Sequence, residues 1–223
     1  WWESDPYTAG KTYEEVYFNA IYTDGFAIPS TPLKANAGVP KRGMTVSCSR
    51  QYVENNIASK YLNNAETAIF TKLSHGCSVR VDDWLAEGDP IGEGDFSEGV
   101  VPIIEMIKNT TLEITHSTRR GQVAFYVGID HGDFWKIAQM LYEDPDGLNI
   151  GWLIPDSFIE KLINKEQDAL ARWNRMLYVR LAKGKGYLAM TDRMNRNKAQ
   201  TFKNLGLHIK GSNLCNELNL PAN

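Results

Sequence analysis

The chain has few cysteines and no block of basic charge, and both shortages narrow what it can do. Three cysteines among 223 residues, at positions 48, 77 and 215, are odd in number and far apart, so they do not make a disulfide framework. The expectation is a reducing, cytoplasmic setting in which thiols are kept for chemistry or packing. Lysine and arginine total 24 against 27 acidic residues, a formal net charge of −3. That balance calls for neither a nucleic-acid groove nor an anionic membrane surface. No apolar run approaches the roughly 18 residues a membrane span needs, and no signal-peptide pattern opens the chain. Walker and GxGxxG motifs are missing, as are repeats and low-complexity segments. Gly92-Glu93-Gly94 is acidic and would repel a phosphate. His75, His116 and His131 do not combine with the cysteines in the close paired spacing of a structural zinc site. No metal site is expected.

What is present reads as one sizeable domain: 43% hydrophobic, 23% charged and 11% aromatic residues. The chain opens on Trp1 and closes on Leu220-Pro221-Ala222-Asn223, directly after its most reactive-looking stretch. Both ends are expected to be cuts in a longer protein. Thr12–Thr23 reads as a helix, with Thr12 and Glu15 at capping-box spacing and an apolar stripe of Tyr13, Val16, Tyr17, Ala20 and Ile21. Ile28–Leu33 is expected to be a rigid loop, and Met44–Cys48 a short β-branched strand. Helix follows over roughly 50–73, then a strand at Gly76–Val81, an acidic glycine-containing loop at Asp83–Asp95 and a helix at Phe96–Asn109. A loop (Glu113–Arg120) leads to a strand at Gln122–Gly128, a helix at His131–Tyr142 and a strand at Leu148–Leu153. Pro155 opens another helix, and Gln167–Lys183 is a long amphipathic helix closed by Gly184. A strand at Tyr187–Met190, a polar connection over Thr191–Lys203 and an extended lead-in at Leu207–Lys210 complete the pattern. Strands alternating with helices argue for parallel pairing in an α/β sheet or barrel.

Three stretches could carry chemistry. In Ser212-Asn213-Leu214-Cys215-Asn216-Glu217-Leu218 an extended chain would project Asn213, Cys215 and Glu217 to one side. That gives an amide, a thiol and an acid aimed at one small polar substrate; a structural cysteine between leucines is the competing reading. Thr115–Gly121 joins hydroxyls, Arg119 and Arg120 beside a strand, which suits a nucleotide or another anion, or else a solvated turn. Cys48 ends the expected strand. An ionised Glu217 two residues from Cys215 would raise the thiol pKa. That is the wrong direction for a thiolate nucleophile, and acceptable for a thiol that donates a hydrogen atom.

Several of these stretches, in this order, resemble one family. Ser212–Glu217 (SNLCNE) is similar to the finger-loop motif of the ribonucleotide reductase catalytic subunit. Gly43–Ser49 (GMTVSCS) resembles its first redox-cysteine strand, and Ile28–Leu33 (IPSTPL) its substrate-phosphate loop. Arg119–His131 (RRGQVAFYVGIDH), Asn149–Phe158 and Gly186–Asn197 also fit. The resemblance runs from about residue 16 to the end and looks most like phage-type members.

The resemblance implies a ten-stranded α/β barrel made of two five-stranded halves, with residues 1–223 supplying the first half and the finger loop, truncated at both ends. An open half-barrel is expected to be poorly behaved and inactive alone. The implied reaction is reduction of ribonucleoside diphosphates to deoxyribonucleotides. Cys215 would be the thiyl radical that takes the ribose 3′ hydrogen, Glu217 the base for the 3′ hydroxyl, and Asn213 the holder of the substrate hydroxyls. Cys48 would be one of two reducing thiols, its partner lying a short way beyond Cys215. Thr31 and Ser47 would contact phosphate and ribose, Gly76 would lie close to the substrate, and Arg119 would read the base. Cys77 matches no family cysteine, and its place suggests a core strand.

The implied radical source is a metal-containing small subunit; the alternative is adenosylcobalamin in a related branch. No cofactor is expected to be bound by this chain itself. ATP or deoxynucleoside triphosphate effectors, thioredoxin or glutaredoxin, and a second copy in a homodimer complete the implied partners. A nucleotide-binding module without catalysis is the reading from a different class.

Overall fold

A computed structural model describes residues 3–25, 28–39, 43–114 and 121–222. The chain divides into two compact units, one up to Ser47 and one from Cys48 onward.

In the first unit, α1 (Tyr13–Phe18) begins where the sequence places it. Thr12 Oγ1 accepts from Glu15 N–H at 3.2 Å, and Glu15 Oε2 accepts from Thr12 N–H at 2.8 Å, so two orphan donors are satisfied reciprocally. The helix runs on as a π turn over Asn19–Thr23. Of its expected apolar stripe, Val16, Ala20 and Ile21 are half-buried, whereas Tyr13 and Tyr17 are exposed. The expected rigid loop instead contains α2 (Thr31–Asn36), which accommodates Pro32 in its first turn. Residues 43–47 are irregular rather than a strand, and Asn36 Nδ2 ties them by donating to Met44 O at 2.7 Å.

The second unit is a five-stranded parallel sheet in the order β1-β2-β3-β4-β5: Cys48–Tyr52, Gly76–Arg80, Val123–Gly128, Asn149–Ile154 and Tyr187–Met190. Between β1 and β2 runs α3 (Ile57–Lys72), and between β2 and β3 runs α4 (Val101–Glu113). Next come α5 (Phe134–Glu143), then α6 (Asp156–Ile163) and α7 (Gln167–Lys183) before β5. Two short helices, α8 (Thr191–Arg196) and α9 (Gln200–Asn204), occupy the expected polar connection. An antiparallel hairpin of β6 (His208–Ser212) and β7 (Asn219–Ala222) closes the described chain. The expected α/β fold with parallel strands is what the structure has, and Gly184 ends α7 in the left-handed conformation expected of it.

The sheet has two unlike faces, set by the period-two alternation of each strand. Val53, Val79, Phe125, Val127, Ile150, Trp152 and Ile154 belong to the core shared with the helices. Each large side chain there contributes about 1.5–3 kcal/mol by burial. The opposite face carries Cys48, Arg50 and Tyr52 on β1, Gly76, Ser78 and Arg80 on β2, and Ala124, Tyr126 and Gly128 on β3, aligned by register. It continues with Gly151 and Leu153 on β4, and Tyr187 and Ala189 on β5.

The helix expected from about residue 50 starts only at Ile57, since 50–52 belong to β1, and that expected from His131 starts at Phe134; two further boundaries differ for a physical reason. Cys48 begins its strand instead of ending one, because pairing with Gly76, not local β propensity, sets where β1 starts. Helix α4 begins at Val101 instead of Phe96, because its first turn is capped from a distance. The buried Asp133 carboxylate accepts from Val100 N–H at 2.9 Å and from Glu87 N–H at 3.1 Å. The acidic 83–95 loop is ordered by its own bonds: Ser97 Oγ donates to Leu85 O at 3.1 Å and Ala86 N–H donates to Asp89 Oδ2 at 2.9 Å.

Candidate active site

The β6–β7 hairpin lies against the polar face of the sheet. Ser78 Oγ donates to Ser212 O at 2.6 Å, Tyr126 OH donates to Asn213 O at 2.9 Å, and Arg50 Nη2 donates to Pro221 O at 3.0 Å. These bonds come from three inward positions on β1, β2 and β3 and fix where the hairpin tip sits.

The tip is a turn rather than the extended stretch expected from the sequence. Asn216 N–H donates to Asn213 O at 3.2 Å, Asn213 N–H donates to Leu218 O at 3.2 Å, and Asn216 has φ +65°. The alternation argument therefore fails: the residues of 213–217 do not share one face of a strand. Asn213 and Glu217 meet because the chain folds back between them. Asn213 is fully buried, whereas Cys215 and Glu217 are exposed at the tip.

Asn213 is the hub. Its Oδ1 accepts from Glu217 N–H at 3.1 Å and from Leu218 N–H at 3.0 Å. With the oxygen fixed by two backbone donors, the amide nitrogen is left to donate elsewhere. Nδ2 donates to Glu217 Oε1 at 2.5 Å and to Cys48 Sγ at 2.8 Å. The Cys48 thiol in turn points at Glu217 Oε1, 3.8 Å away. A thiol from the start of β1 and a carboxylate from the hairpin thus meet over one amide, 169 residues apart in the chain. Gly76 stands beside Cys48 as its register partner. Burial pushes the pKa of Tyr187 up, and the Cys215 and Glu217 charges add to that.

Such a set can pass protons between thiol and carboxylate, and both donors and both acceptor positions of the Asn213 amide are engaged within it. Cys215 is exposed. No disulfide links the three cysteines. Cys77 lies on the helix side of β2, fully buried, and burial pushes its thiol from the ordinary 9.0 to about 12; it is a core residue, as expected. Thr31 opens α2 and Ser47 directly precedes Cys48, both in the first unit. Arg119, and the anion-suited stretch around it, lie outside the described residues. Among the described residues no three histidine, cysteine or acidic side chains cluster as a metal would need.

Sequence reasoning missed the parts played by Tyr126 and Ser78, buried under the hairpin, and by Ser212, buried at the end of β6 within it. A signal was available: small or polar residues at alternate positions inside otherwise apolar strands (Gly76, Ser78, Gly128, Gly151) mark a face that another backbone approaches.

Residues 46–172, more than half of the chain, match the family described as ribonucleotide reductase, barrel domain. The chain belongs to this ribonucleotide reductase family. It is 26% identical over 241 residues to a putative ribonucleoside-diphosphate reductase large subunit of Frog virus 3 (isolate Goorha), covering 98% of this chain and 41% of that protein. It is 28% identical over 201 residues to the ribonucleoside-diphosphate reductase subunit alpha of Bacillus subtilis (strain 168), covering 84% of this chain and 26% of that protein. Its fold matches the Actinobacillus ureae class Id ribonucleotide reductase alpha subunit with a TM-score of 0.76 at 23% identity, over 87% of this chain and 36% of that one. The chain therefore spans less than half the length of the relatives it matches. The five-stranded sheet and its hairpin are the portion of the reductase barrel fold seen here.

Proposed function

We propose that this chain carries the first half-barrel and the finger loop of a ribonucleoside-diphosphate reductase catalytic subunit, in which Cys215 is the reacting thiol. The observation that supports this most directly is the Cys48–Asn213–Glu217 hydrogen-bonded set beside Cys215. A family sequence match alone would not require those groups to meet.

In this reading the Cys215 thiyl removes the ribose 3′ hydrogen, and Glu217 takes the 3′ hydroxyl proton. Cys48 then protonates the 2′ hydroxyl, which leaves as water. Cys48 and a second thiol supply two electrons to the 2′ carbon and end as a disulfide, and Cys215 returns the hydrogen to the 3′ carbon. Cys77 does not fill the second-thiol role, being buried on the other face of the sheet; the resemblance assigns it to sequence following the finger. Asn213 keeps Glu217 and Cys48 in place and takes up the substrate hydroxyls by exchanging one of these bonds for them. Thr31 and Ser47 bind phosphate and ribose, Gly76 leaves room beside Cys48, and Arg119 reads the base.

The names of the relatives, "large subunit" and "subunit alpha", favour a metal-containing partner subunit as the radical source over bound adenosylcobalamin. Thioredoxin or glutaredoxin would reduce the Cys48 disulfide, nucleoside triphosphates would act as effectors, and the complete subunit would be a homodimer working in the cytoplasm. These assignments rest on family membership. Among the described residues no helix is long and apolar enough to cross a membrane.

The test is deoxynucleotide formation from a ribonucleoside diphosphate by the full-length subunit with its radical-generating partner. Cys215→Ala and Cys48→Ala should each lower turnover by roughly 10³-fold or more, since members of one catalytic unit fail together. Turnover that survives either change would sink the assignment.

A further inference from the structure

Tyr126 sits mid-strand on the polar face of β3, wholly buried. Its ring occupies a slot made by two glycines. Gly151 is its register partner on β4, and a Cβ there would come within 2.3 Å of the ring Cε1. Gly211 of the hairpin passes over the other side, where a Cβ would lie 3.9 Å from Cγ. The hydroxyl emerges under the hairpin turn. It lies 2.9 Å from Asn213 O and 3.2 Å from Asn216 Oδ1, the residues that bracket Leu214-Cys215. Asn216 is in the left-handed region, where asparagine is one of the few tolerated side chains. Burial first, then the charges of Tyr187, Glu217 and Cys215, push the phenol pKa up, against a Ser212 hydrogen bond that lowers it. The hydroxyl therefore stays protonated, and a donor, at any working pH.

We propose that Tyr126 is the positioning residue for the Cys215 thiol: its hydroxyl clamps both ends of the Asn213–Asn216 turn and so sets where the sulfur is presented. This rests on the reading of Cys215 as the reacting thiol. The clamp is carried by one hydroxyl on a strand, so a turn closed by its own backbone bonds is also tied to the sheet.

Two variants reach the same displacement by different routes. Tyr126→Phe keeps the ring and removes the hydroxyl; Gly151→Ala keeps the hydroxyl and drives the ring out of its slot. Two readouts apply to the full-length subunit: the alkylation rate of Cys215 relative to Cys48, followed by mass spectrometry, and turnover with its radical-generating partner. In both variants the labelling rate of Cys215 relative to Cys48 should shift several-fold with no dependence on low urea, because an already exposed thiol is presented differently without general unfolding. The turnover number should fall about tenfold or more while KM stays within twofold. Unchanged relative labelling would overturn the proposal, as would a urea-dependent rise shared by Cys48, which reports general loosening. Shifted labelling with unaltered turnover would overturn the claim that the clamp serves the reaction. Full turnover by Cys215→Ala would instead remove the underlying reading, leaving the labelling result to stand on its own.

Discussion

Asn213 shows how much one side chain can hold. Its oxygen serves two backbone N–H groups and its nitrogen serves a carboxylate and a thiol, so the two halves of the amide do different work. Asn213→Asp separates them. The oxygen facing Glu217 N–H and Leu218 N–H is kept, so the turn should form. The donor is replaced by a second carboxylate oxygen against Glu217, and like charges at that range repel. Deoxynucleotide formation should fall about 10²-fold or more while circular dichroism is retained; turnover within twofold of the parent would remove Asn213 from the proposed mechanism. Cys77 gives a pH prediction of known sign. Burial holds its thiol neutral to about 12, whereas the unfolded chain ionises near the ordinary 9.0. The folded state keeps a proton that the unfolded state loses, so this contribution is complete below pH 9 and declines between pH 9 and 12. The slope approaches about 1.4 kcal/mol per pH unit. Urea titrations at pH 8 and pH 10 should show the parent losing about 1 kcal/mol more than Cys77→Val, and equal losses would place the thiol in contact with water.

Among the elements, α4 depends on a residue that is not its neighbour. Asp133 follows β3, yet its carboxylate receives the N–H of Val100 ahead of that helix and of Glu87 in the acidic loop. Gly99, at φ +78°, leaves the space, since a Cβ there would meet Asp133 Oδ2 at 2.4 Å. His131 Nδ1 accepts from Asp133 N–H at 3.1 Å, so Nε2 carries the proton and donates to Trp84 O at 2.9 Å. Asp133→Ala should orphan one buried donor, Val100 N–H, and one part-buried donor, Glu87 N–H, and lower the unfolding free energy by about 1–3 kcal/mol, read as a drop in urea midpoint at constant slope. A loss of unfolding free energy under about 0.5 kcal/mol would mean water replaces the carboxylate. The same cap marks the limit of what the sequence discloses. Thr12 with Glu15 and Gly184 signal local caps, and the structure has both. A cap supplied from across the fold leaves no such spacing, so the start of α4 was misplaced. The site was legible in its members but not in its geometry. Cys48, Asn213 and Glu217 stood out by chemistry and by family resemblance. The turn that brings them together depends on Tyr126 and Ser78, which local alternation cannot reveal.

At the scale of the whole molecule, the sheet order leaves β1 and β5 each with one sheet neighbour among the described residues. The hairpin lies across the polar face without pairing with either edge. Unpaired strand edges invite further pairing, and the reductase barrel supplies it by joining two five-stranded halves. Hydrogen exchange can see this directly. Outward-facing amides of β5, Tyr187–Met190, should exchange rapidly in the 223-residue chain and slow by at least about tenfold in the full-length subunit, where a further strand would cover them. Amides of β3, already flanked by β2 and β4, should be protected in both, which controls for unfolding of the shorter chain. Equal protection of β5 in the two proteins would mean that this edge is not where the barrel closes. Fast exchange of β3 in the shorter chain would mean that the sheet needs the remaining sequence to persist at all, and that the hairpin tip carrying Cys215 is held in place only within the longer protein.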